Sequence, residues 1–211
     1  MTFGSRGRLL CALSLVIAIF TFSSVSSTQA QTANGSLYTG TVRLACEALL
    51  CLSSSAGGPD CNPALSYFYG IKERKLSDTL DARHSFLQQC PDASLTPQMA
   101  SLARAISRGA GRCDAAAFNR ALGTVHIDRF GKESVRISNK APTYCNAYVH
   151  HEYTDLAGLT PRYVGTVEEG GYWVEPKNYD AELIKYQAEL EARKKAEERE
   201  QDREGHDSGS W

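Results

Sequence analysis

The sequence has no surplus of charge of either sign. Its 211 residues contain 23 Lys and Arg against 24 Asp and Glu, for a formal net charge of -1. No basic stripe is present that would neutralise the phosphates of DNA or RNA. The charge balance therefore argues against nucleic acid as a partner.

The sequence also lacks the common motifs of catalysis and of nucleotide or calcium binding. It contains no G-x-S-x-G nucleophile elbow, no Gly-rich phosphate loop and no EF-hand pattern. His150 and His151 are adjacent, and neighbours on a helix point about 100° apart, so they cannot chelate one metal ion as an i,i+4 pair does. We expect no catalytic residue, no metal site and no cofactor.

One enzymatic alternative remains, which is a hydrolase of peptidoglycan that uses a single acidic residue as general acid. Glu133-Ser134 is similar to the Glu-Ser pair of lytic transglycosylases. In that family the Glu lies at the end of a helix, whereas Glu133 falls in a predicted strand. The pair is therefore weak support for this activity.

Only one long apolar run occurs, and it lies close to the N-terminus, from Leu9 to Phe20. Arg6 and Arg8 precede it, and small residues lead from it to Ala30. These are the three parts of a secretory signal peptide. The run is shorter than the roughly 20 apolar residues that a membrane-spanning helix needs. We expect cleavage after Ala30, export, and no stable membrane span.

The cysteines predict a disulfide framework. Of the seven in the chain, Cys11 lies in the predicted signal peptide. Six cysteines in an exported chain indicate three disulfides, and their spacing contains no C-x-x-C pair of the kind that zinc sites use. The remaining cysteines are Cys46, Cys51, Cys61, Cys90, Cys113 and Cys145.

Helix geometry and loop length restrict how these cysteines pair. Cys46 and Cys51 lie on one predicted helix about 140° apart and cannot easily bond to each other. Cys51 ends that helix and Cys61 begins the next, so closing the short ring between them costs little entropy. An alternative pairs Cys46 with Cys61 and Cys51 with Cys90. The favoured set is Cys46–Cys90, Cys51–Cys61 and Cys113–Cys145.

Apolar spacing predicts a mainly α fold. Helical periodicity occurs in five segments, and two pairs of short alternating segments around Gly-containing turns predict one or two β-hairpins. The predicted helices cover about 39–52, 77–90, 96–109 and 114–122, and a further predicted helix begins at 62. The predicted strands are 125–127 with 135–137, and 163–164 with 172–174.

The C-terminal part predicts a charged helix. Tyr179, Leu183, Tyr186 and Leu190 form a stripe that can dock on the fold, and beyond Leu190 the apolar positions give way to charged i,i+4 pairs. The expected class is a small disulfide-stapled helical domain. The expected organisation is a signal peptide over 1–30, a disulfide-bonded helical domain over 31–190 and a solvated charged tail over 191–211.

Several segments together resemble the TrbM (KikA) family of conjugal-transfer proteins, over roughly residues 38–186. Leu50 and Tyr69-Gly70 depart from the family's pattern. The segments that carry the resemblance are 45–54 (ACEALLCLSS), 61–68 (CNPALSYF), Ala82-Arg83 with Phe86-Leu87 and Cys90-Pro91, 142–145 (PTYC) and 170–174 (GGYWV).

The resemblance implies a periplasmic, non-enzymatic accessory of mating-pair formation. Mating-pair formation belongs to a type IV secretion system that moves plasmid DNA between bacterial cells. Its expected partners are other proteins of that system, and the oligomeric state stays open. The resemblance implies no catalytic residue. The alternative to this function is a cell-wall hydrolase or a periplasmic ligand-binding module.

Overall fold

The computed structural model describes residues 38–207, and most of them are helical. The predicted signal peptide, 1–30, lies outside the described residues. No described helix has an apolar stretch long enough to cross a membrane. The helices of the described part are α1 (Gly40–Ser53), α2 (Asn62–Gly70), α3 (Leu76–Leu87), α4 (Pro97–Gly109), α5 (Ala115–Ala121), α6 (Thr143–Val149) and α7 (Tyr179–Asp207).

Short strands form two separate antiparallel hairpins. Val125 lies opposite Val135 in the first hairpin, and Tyr163 lies opposite Trp173 in the second. The predicted fold class, mainly α with two small hairpins and a long C-terminal helix, is confirmed. The strands are β1 (Gly123–Ile127), β2 (Glu133–Ile137), β3 (Arg162–Val164) and β4 (Tyr172–Val174).

The largest hydrophobic core lies between α1, α2, α3, α4 and α6. Phe68, Leu87 and Ile106 are fully buried there, and each such side chain contributes about 1.5–3 kcal/mol by leaving water. Ala45 and Ala48 on α1 are also fully buried. Their small side chains let neighbouring helices pack closely against α1.

A second cluster surrounds Trp173 on β4, next to α5. The Trp173 ring meets Phe118 and Tyr163 edge to face, with ring centroids 5.0 and 5.3 Å away. Asn119 donates to the Trp173 carbonyl and accepts from its backbone N–H, both at 2.8 Å. The Trp173 indole N–H donates to the Ser138 carbonyl at 2.9 Å. The bonds with Asn119 fasten the second hairpin to α5, and the bond to Ser138 fastens it to the end of the first hairpin.

The first turns of α7 dock on the second hairpin. Tyr186 is buried against Val164 and Val174, and the rest of the predicted stripe packs around them. From 191 to 203 every residue is exposed. Even so, Arg193 donates to the Glu169 carbonyl at 2.8 Å, and Lys194 forms an ion pair of 3.0 Å with the Glu169 carboxylate.

The six cysteines lie in three pairs, and two of these start from α1. Cys46 is paired with Cys90 and Cys51 with Cys61, with Cα–Cα distances of 4.9 and 5.8 Å. The helix α1 is therefore tied both to the end of α3 and to the start of α2. The third pair, Cys113–Cys145, joins the segment before α5 to α6, with a Cα–Cα distance of 5.4 Å.

The structure differs from the sequence expectation at the start of α3 and at α6. The helix predicted over 77–90 begins at Leu76, after Lys75, and ends at Leu87. Thr79 accepts a hydrogen bond of 2.8 Å from the Glu73 backbone N–H and holds the preceding loop. The helix α6 was not among the predicted elements because no capping side chain marks its start, whereas Asp114 caps α5, which has the same length.

Candidate functional site

The helices α4 and α6 are in close contact at Gly109. A Cβ atom placed there would lie 2.5 Å from the ring of Tyr148. Burial raises the pKa of Tyr148 well above its usual range, so its hydroxyl stays protonated and donates to the Leu52 carbonyl at 2.6 Å. This contact positions α6 against both α4 and the end of α1.

An open groove of about 570 Å³ lies between α4 and α6. This volume falls in the range of small-molecule and peptide-side-chain sites. Its floor is mostly apolar, because alanines from both helices face it, and its rim carries two arginines. The lining residues are Pro97, Ala100, Ser101, Arg104, Ala105, Arg108, Tyr144, Ala147 and His151.

The rim of the groove is positively charged. Arg104 and Arg108 stand one turn apart on α4 and are exposed. Burial lowers the pKa of His84, and the charges of Arg104 and Arg108 lower it further, against a smaller opposing effect of Asp81. The His84 ring is thus neutral at pH 7, and the permanent positive charge of this face comes from arginine.

Ser101 and His151 meet at one end of the groove, with 2.7 Å between the Ser101 hydroxyl and Nε2. The Tyr153 backbone N–H donates to Nδ1 at 3.2 Å, so in the neutral ring the proton sits on Nε2. Ser101 in turn donates to the Gln98 carbonyl at 2.8 Å. The histidine therefore donates to the serine, whereas a general base must accept the serine proton.

The first hairpin presents a second unusual surface. Val125, Ile127 and Val135 share one face and are 59–67% exposed, and Phe130 at the turn is 81% exposed. The turn itself is well ordered by Asp128, whose carboxylate accepts from two backbone N–H groups and has a lowered pKa for that reason. The apolar face of this hairpin is thus held rigidly toward solvent.

The family model for TrbM matches residues 37–187, which is more than half of the chain. The chain belongs to the TrbM family. TrbM is associated with conjugal transfer and is not known for an enzymatic activity. The resemblance drawn from the sequence is confirmed. No match was found among curated proteins or among solved structures.

In this TrbM chain the cysteine pairs coincide with the set that ring closure and helix geometry favour. Disulfides of this kind fit an oxidising compartment, which is where exported proteins reside. Within residues 38–207, no group of three or more His, Cys, Asp or Glu side chains is placed to hold a metal ion.

Glu133 and Ser134, the pair of the enzymatic alternative, do not line the groove. Glu133 is exposed in β2, opposite Ile127, on the protruding hairpin. Of the adjacent histidines only His151 lines the groove, and His150 is exposed. Sequence reasoning did not find the groove, because α6 supplies one of its walls and has no periodic signal of its own.

Proposed function

We propose that the protein is a periplasmic, non-enzymatic accessory of conjugal transfer that acts in mating-pair formation. The observation that carries the proposal is the TrbM match over 37–187, combined with three disulfide pairs. Disulfides form and persist in oxidising compartments such as the bacterial periplasm, which supports a location on the far side of the inner membrane.

The chemistry of the groove supports a binding role. None of its lining side chains carries a carboxylate, so the general acid that a glycosidase needs is missing from the groove. The Ser101–His151 pair has the wrong hydrogen-bond direction for a nucleophile and its base, as described above. What the groove does offer is apolar surface and positive charge, which suit recognition of another molecule.

Zymography separates the proposed function from the alternative of a cell-wall hydrolase. Purified oxidised protein is run on a gel that contains peptidoglycan, beside an active muramidase. We expect clearing in the muramidase lane alone. Clearing by the wild-type protein that is lost in a Glu133→Gln variant would establish the hydrolase instead. Clearing that this variant retains would mean contamination.

Deletion and fractionation test the role and the location. Removal of the gene from a conjugative donor should lower transfer frequency, and a plasmid-borne copy should restore it. The mature chain should begin near Gln31 by mass spectrometry and appear in the osmotic-shock fraction. An uncleaved N-terminus, or retention with the inner membrane after a salt wash, would contradict the proposed location.

A further inference from the structure

The rim of the groove carries positive charge that the protein does not neutralise. Arg104 and Arg108 are an i,i+4 pair of like charges, an arrangement that destabilises an isolated helix. Neither guanidinium forms an ion pair or hydrogen bond with any residue that the structure describes. Arg108 lies in the last turn of α4, where the helix dipole favours a cation, but Arg104 lies further from that end and has no such compensation.

Arg112 adds to this charge just beyond the end of α4, and its charge also acts on the buried Arg83 of α3. Arg112 lies 4.1 Å from the centroid of the Tyr144 ring and donates to the Arg108 carbonyl at 2.8 Å. Arg83, on α3, is 9% exposed and stacks over the rings of Phe68 and Tyr69, and its Nε has no hydrogen-bond partner. Its pKa is lowered by burial and also by the charge of Arg112.

The floor between these charges is apolar and shallow. Ala100, Ala105 and Ala147 present only methyl groups to it. A bound chain would displace water from this floor, and a carboxylate held beside it would attract the arginines more strongly than in bulk solvent. Small side chains also leave room for the larger apolar side chains of a ligand.

Building on the proposed function, we propose that the groove binds an acidic peptide segment of a partner protein. Apolar side chains of that segment rest on the alanine floor, and its carboxylates pair with Arg104 and Arg108. A peptide fits better than single-stranded nucleic acid, which binds by stacking its bases on open aromatic rings. Of the two rings that line the groove, Tyr144 is covered by Arg112, and His151 is in edge contact with Tyr153.

A peptide selection tests the chemistry directly. A display library of random dodecapeptides is panned against the oxidised full-length mature protein. We expect enrichment of peptides that combine Asp or Glu with apolar residues, and hydrogen-exchange protection by these peptides in α4 and α6. A selection that yields no shared sequence, or one without an excess of acidic residues, would overturn the proposal.

Charge reversal of the rim tests the site, and the same change on α7 is the matched control. In Arg104→Glu/Arg108→Glu the selected peptides should bind about tenfold more weakly or worse, as expected when charged hydrogen bonds are lost. Arg199→Glu/Arg203→Glu makes the same change on an exposed i,i+4 pair of α7 and should bind like wild type. Equal loss in both variants would show a nonspecific charge effect and contradict a site at the groove.

An oligonucleotide of thymidines serves as the competing ligand. It should fail to displace the selected peptide at equal concentration. Displacement that Arg104→Glu/Arg108→Glu abolishes would identify the groove as a nucleic-acid site and reject the peptide proposal.

Complementation separates this inference from the proposed function. If deletion of the gene leaves transfer unchanged, the proposed role in conjugation is wrong. The peptide selection then still shows whether the groove binds an acidic peptide. If deletion lowers transfer but Arg104→Glu/Arg108→Glu restores it as fully as Arg199→Glu/Arg203→Glu, the role stands and the groove inference is wrong. We expect only the α7 variant to restore transfer.

Discussion

Gly109 sets the distance between the two helices that form the groove. It is the last residue of α4 and lies fully buried against Tyr148. Any side chain there would push α6 outward and widen the groove. Its importance comes from this close approach, because its backbone conformation is one that other residues adopt.

Gly109→Ala should therefore destabilise the protein. Overpacking of this kind costs about 1–3 kcal/mol. Gly70→Ala is the matched control, since Gly70 ends α2 with open space around it, and it should be neutral or slightly stabilising because alanine favours a helix. Urea unfolding of both variants measures the difference. Equal stability of the two variants would show that α6 moves to accommodate the added methyl group without loss of stability.

Some residue roles could be predicted from the sequence because they depend on neighbouring residues in the chain. Thr96 before Pro97 predicts the start of α4, and its hydroxyl does accept from the Met99 backbone N–H at 3.1 Å. The role of His84 was not readable. Its neighbours in the sequence indicate no function for it, and only the packing of α3 on α4 brings it near Arg104 and Arg108.

At the scale of elements, α7 divides into a docked part and a free part, and Arg193 and Lys194 mark the boundary. Both contact Glu169 in the turn between β3 and β4. Hydrogen bonding to Lys194 is the main reason that the pKa of Glu169 is lowered. The ion pair therefore stabilises the fold above the unfolded pKa of Glu169 and is lost as the pH falls through its folded pKa.

Two truncations of α7 test this boundary. Deleting 196–211 should leave the melting temperature at pH 7 unchanged, whereas deleting 193–211 should lower it slightly. That difference should shrink in acid, once Glu169 is protonated and its ion pair with Lys194 is lost, and the part that remains belongs to the bond from Arg193 to the Glu169 carbonyl, which does not titrate. Thermal unfolding followed by circular dichroism across pH gives the comparison. A large loss on deleting 196–211 would mean that the free part of α7 packs on the fold after all.

The first hairpin is joined to the fold only at its base. Ile137 packs on the cluster around Trp173, whereas Val125 is 67% exposed. We expect Ile137→Thr to cost about 1–2 kcal/mol, because it loses buried apolar area and places a hydroxyl there. Val125→Thr should stay within about 0.5 kcal/mol of wild type. Similar losses for both in urea unfolding would show that the exposed face is packed in solution.

Helices and hairpins with a clear period were predictable, and the groove was not. The alternation around Gly131 predicted β1 and β2, and the stripe from Tyr179 to Leu190 predicted the docking of α7. The helix α6 has seven residues, and its place in the structure depends on long-range contacts, such as the bond from Tyr148 to Leu52. Such contacts have no signature in local spacing.

At the scale of the whole molecule, the disulfides contribute unequally to the free energy of unfolding. Cys46–Cys90 spans 44 residues, and Cys51–Cys61 spans 10. A longer ring restricts the unfolded chain more, and for these lengths the difference is about 1 kcal/mol. The pairing itself is a prediction for the exported protein that we propose. Non-reducing peptide mapping tests it.

Replacing Cys46 and Cys90 together by alanine should therefore destabilise the protein more than replacing Cys51 and Cys61. Each double replacement should cost about 2–4 kcal/mol, with the first at the upper end. Guanidinium unfolding under non-reducing conditions ranks the two. A larger loss from the Cys51–Cys61 removal would show that strain or packing, rather than ring length, governs stability.

The Cys51–Cys61 ring lies inside the Cys46–Cys90 ring, and this nesting has a consequence for biogenesis. In the exported protein that we propose, Cys46, Cys51 and Cys61 leave the export channel before Cys90 does, so an oxidase that acts on the emerging chain meets these three thiols first. Any bond that Cys46 forms at that moment is a wrong one, and thiol–disulfide exchange must undo it before Cys90 can take its place. Production of the native protein should accordingly depend on a disulfide isomerase in the host, as well as on an oxidase.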